Sequence, residues 1–111
     1  MKKHRHINIQ EDNTQQDIQA LVATIAKLKD ALLVYDFLKD LCTPQELKAM
    51  ADRWKVCKLL NKEELSYREI SEQTNVSLAT IVRVARFLHN EPNRGYQAAL
   101  KKVKNSKKII K

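Results

Sequence analysis

The sequence predicts an all-α protein of about six helices. Three observations carry that expectation. Only Gly95, Pro44 and Pro92 break helical patterning in 111 residues. Apolar residues recur at spacings of three and four through the long segments between them. Good capping residues stand at the starts of several of those segments. With 43% hydrophobic residues, the chain can bury one modest core.

Residues 1–13 are polar and predict a flexible N-terminal arm. Thr14, with Asp17 three residues later, predicts the start of a first helix. Ile18, Leu21, Val22, Ile25 and Leu28 give that helix an apolar stripe. A second helix is expected from Ala31 to Leu41. Leu32, Leu33, Tyr35, Phe37, Leu38 and Leu41 make it apolar around much of its circumference. Thr43-Pro44-Gln45-Glu46 is a strong helix start, with Thr as cap and Pro at the first position. The third helix should reach about Asn61 and bury Leu47, Met50, Ala51, Trp54, Cys57 and Leu60.

Residues 66–89 carry the clearest functional signal. Ser66 and Glu69 form a capping box, so a helix begins at Tyr67. Ile70 and Thr74 lie on its inward face. Asn75 tolerates the left-handed backbone that a tight turn needs. Val76 packs inward, and Ser77 caps the next helix. Ile81, Val84, Ala85 and Leu88 recur at helical spacing and should bury that helix's inner face. Small side chains at its start, with arginines further along, suit a recognition helix in the major groove. Arg68, Leu78, Ala79, Thr80, Val82, Arg83 and Arg86 are the expected DNA-facing residues. Arg83 and Arg86 suit phosphate. The plainer alternative is a helical hairpin with a basic face.

The loop Glu91-Pro92-Asn93-Arg94-Gly95 follows, then a short helix from Tyr96 to about Lys104. Residues 105–111 are expected to be a basic tail. A single helical domain should therefore span residues 14–104.

Charge is unevenly placed. The net charge is +8. Residues 1–52 hold seven Lys/Arg and eight Asp/Glu, while residues 53–111 hold fourteen and five. After Glu72 the only acidic residue is Glu91. A basic half overlapping a helix-turn-helix implies a polyanionic partner, double-stranded DNA.

Other classes are disfavoured. No apolar stretch approaches a membrane span. The N-terminus is basic but lacks the apolar region of a signal peptide. Cys42 and Cys57 lie in apolar helical patterns and read as reduced core residues of a cytoplasmic protein. His4 and His6 in a polar segment read as solvated rather than metal-binding. No nucleophile–base pair, phosphate loop or metal-ligand cluster suggests an enzyme, and no cofactor is implied.

The order of elements and several motifs resemble the tryptophan-repressor family over about residues 32–100. The likeness is to its YerC/YecD branch. Residues 37–43, Phe-Leu-Lys-Asp-Leu-Cys-Thr, resemble a block of that branch. So do Tyr67-Arg68-Glu69-Ile70-Ser71, the run from Ser77 to Val84, and the pair Gly95-Tyr96. The resemblance implies an intertwined helical homodimer whose N-terminal helices share one core. It also implies transcriptional repression through the helix-turn-helix, and a dimer should want a palindromic operator.

The family's effector pocket carries over residue by residue to Thr43, Arg53, Arg83, Val84 and Phe87. In the family, two arginines that match Arg53 and Arg83 sandwich an indole. Thr43 matches a threonine near the ligand. A glycine that makes room for the indole is Val84 here, and a serine near its amino group is Phe87. Two larger apolar side chains fill that space, so the pocket is expected to be vestigial and the protein unresponsive to tryptophan. For Arg53 and Arg83 the preferred reading is phosphate contact or pairing with Asp52 or Glu69.

Two other readings share the motif. A non-specific architectural DNA binder would show no preference for a palindrome. A protein-interaction module would show no sequence-specific DNA binding.

Overall fold

The computed structural model describes residues 2–90 and 94–110, with side chains for residues 13–90 and 94–104. Among these residues it holds six helices and no strand. They are α1 (Lys2–Lys27), α2 (Ala31–Leu41), α3 (Pro44–Lys62), α4 (Tyr67–Thr74), α5 (Leu78–His89) and α6 (Gly95–Ile110). The all-α class and the helix count match the expectation from sequence. The chain divides into two compact units, residues 1–43 and 44–111.

In the first unit, α2 begins where the sequence places it. Asp30 has extended backbone, and its carboxylate accepts from the Leu32 N–H at 3.1 Å. That bond satisfies one of the helix's open donors. The start of α1 differs from expectation. The helix begins at Lys2, and Thr14 lies inside it. No Gly or Pro occurs from residue 2 to 27, so nothing in the sequence stops the helix from extending beyond Thr14. The side chains of His4, His6 and most of the expected arm lie outside the described residues.

No described side chain of the first unit is buried. Leu32 is 70% exposed and Val22 58%, and Ile18, Leu33, Tyr35 and Leu41 are also exposed. Leu21, Ile25, Leu28, Phe37 and Leu38 are half-buried. The apolar load that the sequence assigns to these helices is therefore present and uncovered within the chain.

The second unit holds the core. It comprises Val56, Cys57 and Leu60 of α3, Ile70 of α4, Val76 of the turn, and Ile81, Val84, Ala85 and Leu88 of α5. All four inner-face residues expected on α5 are buried. Tyr96 and Leu100 of α6 pack against this cluster. Trp54 of α3 stacks on Tyr96, with ring centroids 6.4 Å apart.

The stripe on α3 departs from expectation. Cys57 and Leu60 are buried, Leu47 and Trp54 half-buried, and Met50 and Ala51 exposed, while Val56 is fully buried. All the buried residues lie in the C-terminal half of α3. The physical reason is coverage, since α4 and α5 pack on that half and its N-terminal half receives no such cover.

Three helix boundaries among the described residues use left-handed backbone at non-glycine residues, Asn75 after α4 being one of them. Glu63 after α3 has φ 59°, and its N–H reaches the Leu60 carbonyl at 3.1 Å. Arg94 before α6 has φ 65°. α6 continues to Ile110, past the expected end near Lys104, because no breaker follows Gly95. Residues 91–93 of the expected loop and the side chains of the tail lie outside the described residues.

Burial also sets thiol chemistry. Cys57 is fully buried, and burial pushes its thiol from 9.0 up to about 11. Cys42 is half-buried, and neither forms a disulfide. A thiol reagent at pH 8 should therefore label Cys42 in the native protein and spare Cys57. The unfolded thiol ionises from about pH 9, whereas the folded one holds its proton until about pH 11. This contribution to stability is present below pH 9 and is lost as pH rises through 11. A Cys57→Ala protein should lose that alkaline component, which urea melts from pH 8 to 11 would measure.

Candidate nucleic-acid interface

The candidate interface is built on α4, the turn and α5. Ser66 and Glu69 make the expected capping box. The Glu69 N–H donates to Ser66 Oγ at 3.1 Å, and the Ser66 N–H donates to Glu69 Oε1 at 2.8 Å. Asn75 closes α4 in the left-handed conformation, φ 63° and ψ 23°, and its N–H donates to the Ser71 carbonyl at 2.8 Å. The turn is tied by side chains as well. The Ser71 hydroxyl donates to the Val76 carbonyl at 2.7 Å. Thr74 Oγ1 donates to the Ile70 carbonyl at 2.7 Å and accepts from the Val76 N–H at 3.2 Å. Val76 thereby has both backbone groups satisfied while its side chain enters the core.

Ser77 then caps α5, and its Oγ accepts from the Thr80 N–H at 3.1 Å. The inner face of α5 is locked by the core, which leaves the outer face exposed. Leu78 and Val82 are exposed large apolar side chains, 49% and 51% accessible. Ala79, Arg83 and Arg86 are also exposed, as is Arg68 on α4. Thr80 is the exception among the residues expected to face DNA. It is half-buried, and its Oγ1 accepts from the Ser77 hydroxyl at 3.1 Å. Its hydroxyl is thus partly committed to the cap. Tyr67, which the sequence marks only as a helix start, is exposed beside Arg68. The signal for it was its place in the first turn of α4.

The five residues of the expected effector pocket come from both units. Thr43 belongs to the first unit and is exposed, and the other four belong to the second. Val84 is fully buried in the core. Arg53 is half-buried on α3. Arg83 and Phe87, with Gly95 and Tyr96, line a cleft of about 300 Å³. The pairing expected for the arginines takes a different form. Asp52 binds Lys48 at 2.9 Å, and Glu69 is engaged by the Ser66 cap. Among the described residues no ion pair reaches Arg53 or Arg83. Arg83 instead lies over the Phe87 ring, 4.5 Å from its centroid, and Arg86 lies 5.3 Å from the same centroid.

No helix among the described residues is long and apolar enough to cross a membrane. No cluster of metal-ligating side chains occurs among them either.

A capped α4, a left-handed turn and an α5 with a small, exposed first turn define a helix-turn-helix protein of the DNA-binding regulator class. The chain belongs to the Trp repressor protein family, whose model matches residues 16–104. It is similar to the uncharacterized protein YerC of Bacillus subtilis (strain 168), 38% identical over 91 residues, which cover 82% of this chain and 86% of that one. A solved TrpR-like protein from Eubacterium eligens ATCC 27750 superposes with a TM-score of 0.72 at 39% identity, over 79% of this chain and 89% of that one. A candidate Trp repressor from Staphylococcus aureus also gives 0.72, at 30% identity, over 80% and 87%.

The left-handed turn is open to direct test. Asn75→Val places a β-branched residue at φ 63° and should destabilise the protein by about 1–2 kcal/mol. Asn75→Gly should be close to neutral. Urea denaturation of the two variants measures the difference.

Proposed function

We propose that the protein is a homodimeric, sequence-specific transcriptional repressor that binds a palindromic operator in the cytoplasm without responding to tryptophan. The observation that carries the DNA reading is the outer face of α5. A rigid, capped helix presents Leu78, Ala79 and Val82 at its start and Arg83 and Arg86 further along. Apolar side chains suit thymine methyl groups, and arginines suit phosphate. Few hydrogen-bonding groups lie near the bases, so specificity should lean on apolar contact, bridging water and DNA shape. Arg68 and Thr80 complete the proposed contact set.

The dimer reading is supported by the first unit. α1 and α2 carry an apolar load that the chain leaves uncovered. Exposed apolar area on that scale is a liability for a soluble monomer, and a second copy is its natural cover. Two-fold symmetry would place half-sites about 34 Å apart along DNA. The lack of a tryptophan response is supported by Val84, whose side chain is core, and by Phe87, whose ring occupies the face of Arg83.

Ala79 is exposed, so Ala79→Glu should leave the thermal midpoint within a few degrees of wild type. It should weaken operator binding at least about 100-fold, because a carboxylate would face the anionic groove from each protomer. Fluorescence anisotropy on DNA selected from a random pool tests this, and unchanged affinity would move the recognition surface elsewhere. Leu38→Asp should abolish dimerisation and folding together, because it puts a charge into the shared core. Sedimentation with circular dichroism reads both, and a folded Leu38→Asp monomer would contradict the arrangement.

A further inference from the structure

We infer that Phe87 is a positioning residue that holds the phosphate-binding arginines of α5 in place. The inference rests on the DNA-binding role of α5 proposed above. Arg83 and Phe87 are four residues apart on α5, so their side chains meet on one face of the helix. The Arg83 guanidinium carbon lies 4.5 Å from the Phe87 ring centroid, and that of Arg86 lies 5.3 Å away. Both distances fall within the range of about 6 Å over which a cation is attracted to an aromatic face.

One half-buried ring therefore gathers two exposed guanidiniums. Arginine loses side-chain freedom when it grips a phosphate. A ring that already limits that freedom leaves less to lose on binding. The same contact occupies the Arg83 face toward Phe87, within the cleft that Arg83, Phe87, Gly95 and Tyr96 line. An aromatic effector seeking the Arg83 face would have to displace Phe87.

The test uses the full-length protein and double-stranded operator DNA selected in vitro. Phe87→Leu removes the ring and keeps an apolar side chain, and Phe87→Tyr keeps the ring. Anisotropy titrations at several salt concentrations should show about tenfold weaker binding for Phe87→Leu. The slope of log affinity against log salt should become shallower by about one phosphate contact or more. Phe87→Tyr should restore both. A double-mutant cycle between Phe87→Leu and Arg83→Gln should show coupling, because the ring acts through the arginine.

Equal affinity and salt slope for wild type and Phe87→Leu, or strict additivity in the cycle, would overturn the inference. If Phe87→Leu does not fold, Arg83→Lys keeps the charge and loses the planar stacking. That variant should show a similar loss of affinity, and wild-type affinity for it would overturn the inference. Failure of the wild-type protein to bind double-stranded DNA would instead overturn the proposed function.

Discussion

The arrangement depends on burial of Ile70, Val76, Ile81 and Val84 against Val56 and Cys57 of α3. These side chains come from α4, the turn and α5, and they meet in one cluster. Each fully buried aliphatic side chain contributes about 1.5–3 kcal/mol relative to exposure. That burial holds two short helices, one of 8 residues and one of 12, that would not form alone in water. It also sets the rotation of α5 about its own axis. With Ile81, Val84, Ala85 and Leu88 inward, Leu78, Ala79, Val82, Arg83 and Arg86 have no inward place and become the outer surface. The face proposed to meet DNA is thus a consequence of the core.

Polar contacts then sharpen what burial permits. The capping box of α4 and the Ser77 cap of α5 satisfy donors at both helix starts. The Asn75 backbone, with Ser71 and Thr74 bonding across the turn, fixes the angle between the helices. Described ion pairs contribute little. Lys39–Asp36 and Lys48–Asp52 are exposed on at least one side, and pairs of that kind add only tenths of a kcal/mol.

Much of this was legible in the sequence because the signals were local. Ser66, Glu69, Asn75 and Ser77 act within four residues of themselves, and the structure places all four as expected. The inner face of α5 was legible because its whole length is covered. The stripe on α3 was legible only in part. Periodicity marks an apolar face but does not say which stretch of it finds a partner within the chain, so Met50 and Ala51 were expected inside and Val56 was not. The start of α1 was misplaced for a related reason, since Thr14 is a good cap but no breaker precedes it. The contact of Phe87 with Arg83 and Arg86 was not legible either. Phe87 could be seen as an obstruction to an indole, but its role as a platform for two cations depends on rotamers that spacing does not specify.

The central claim is that the outer face of α5, and not another surface, meets DNA. Amide chemical-shift mapping by NMR during titration with a selected palindromic duplex tests it most directly. The largest shifts should fall at residues 78–83 and at Arg68, with only small changes at Val56, Cys57 and Ile70. Large shifts confined to α2 or α6, with residues 78–83 unmoved, would contradict it.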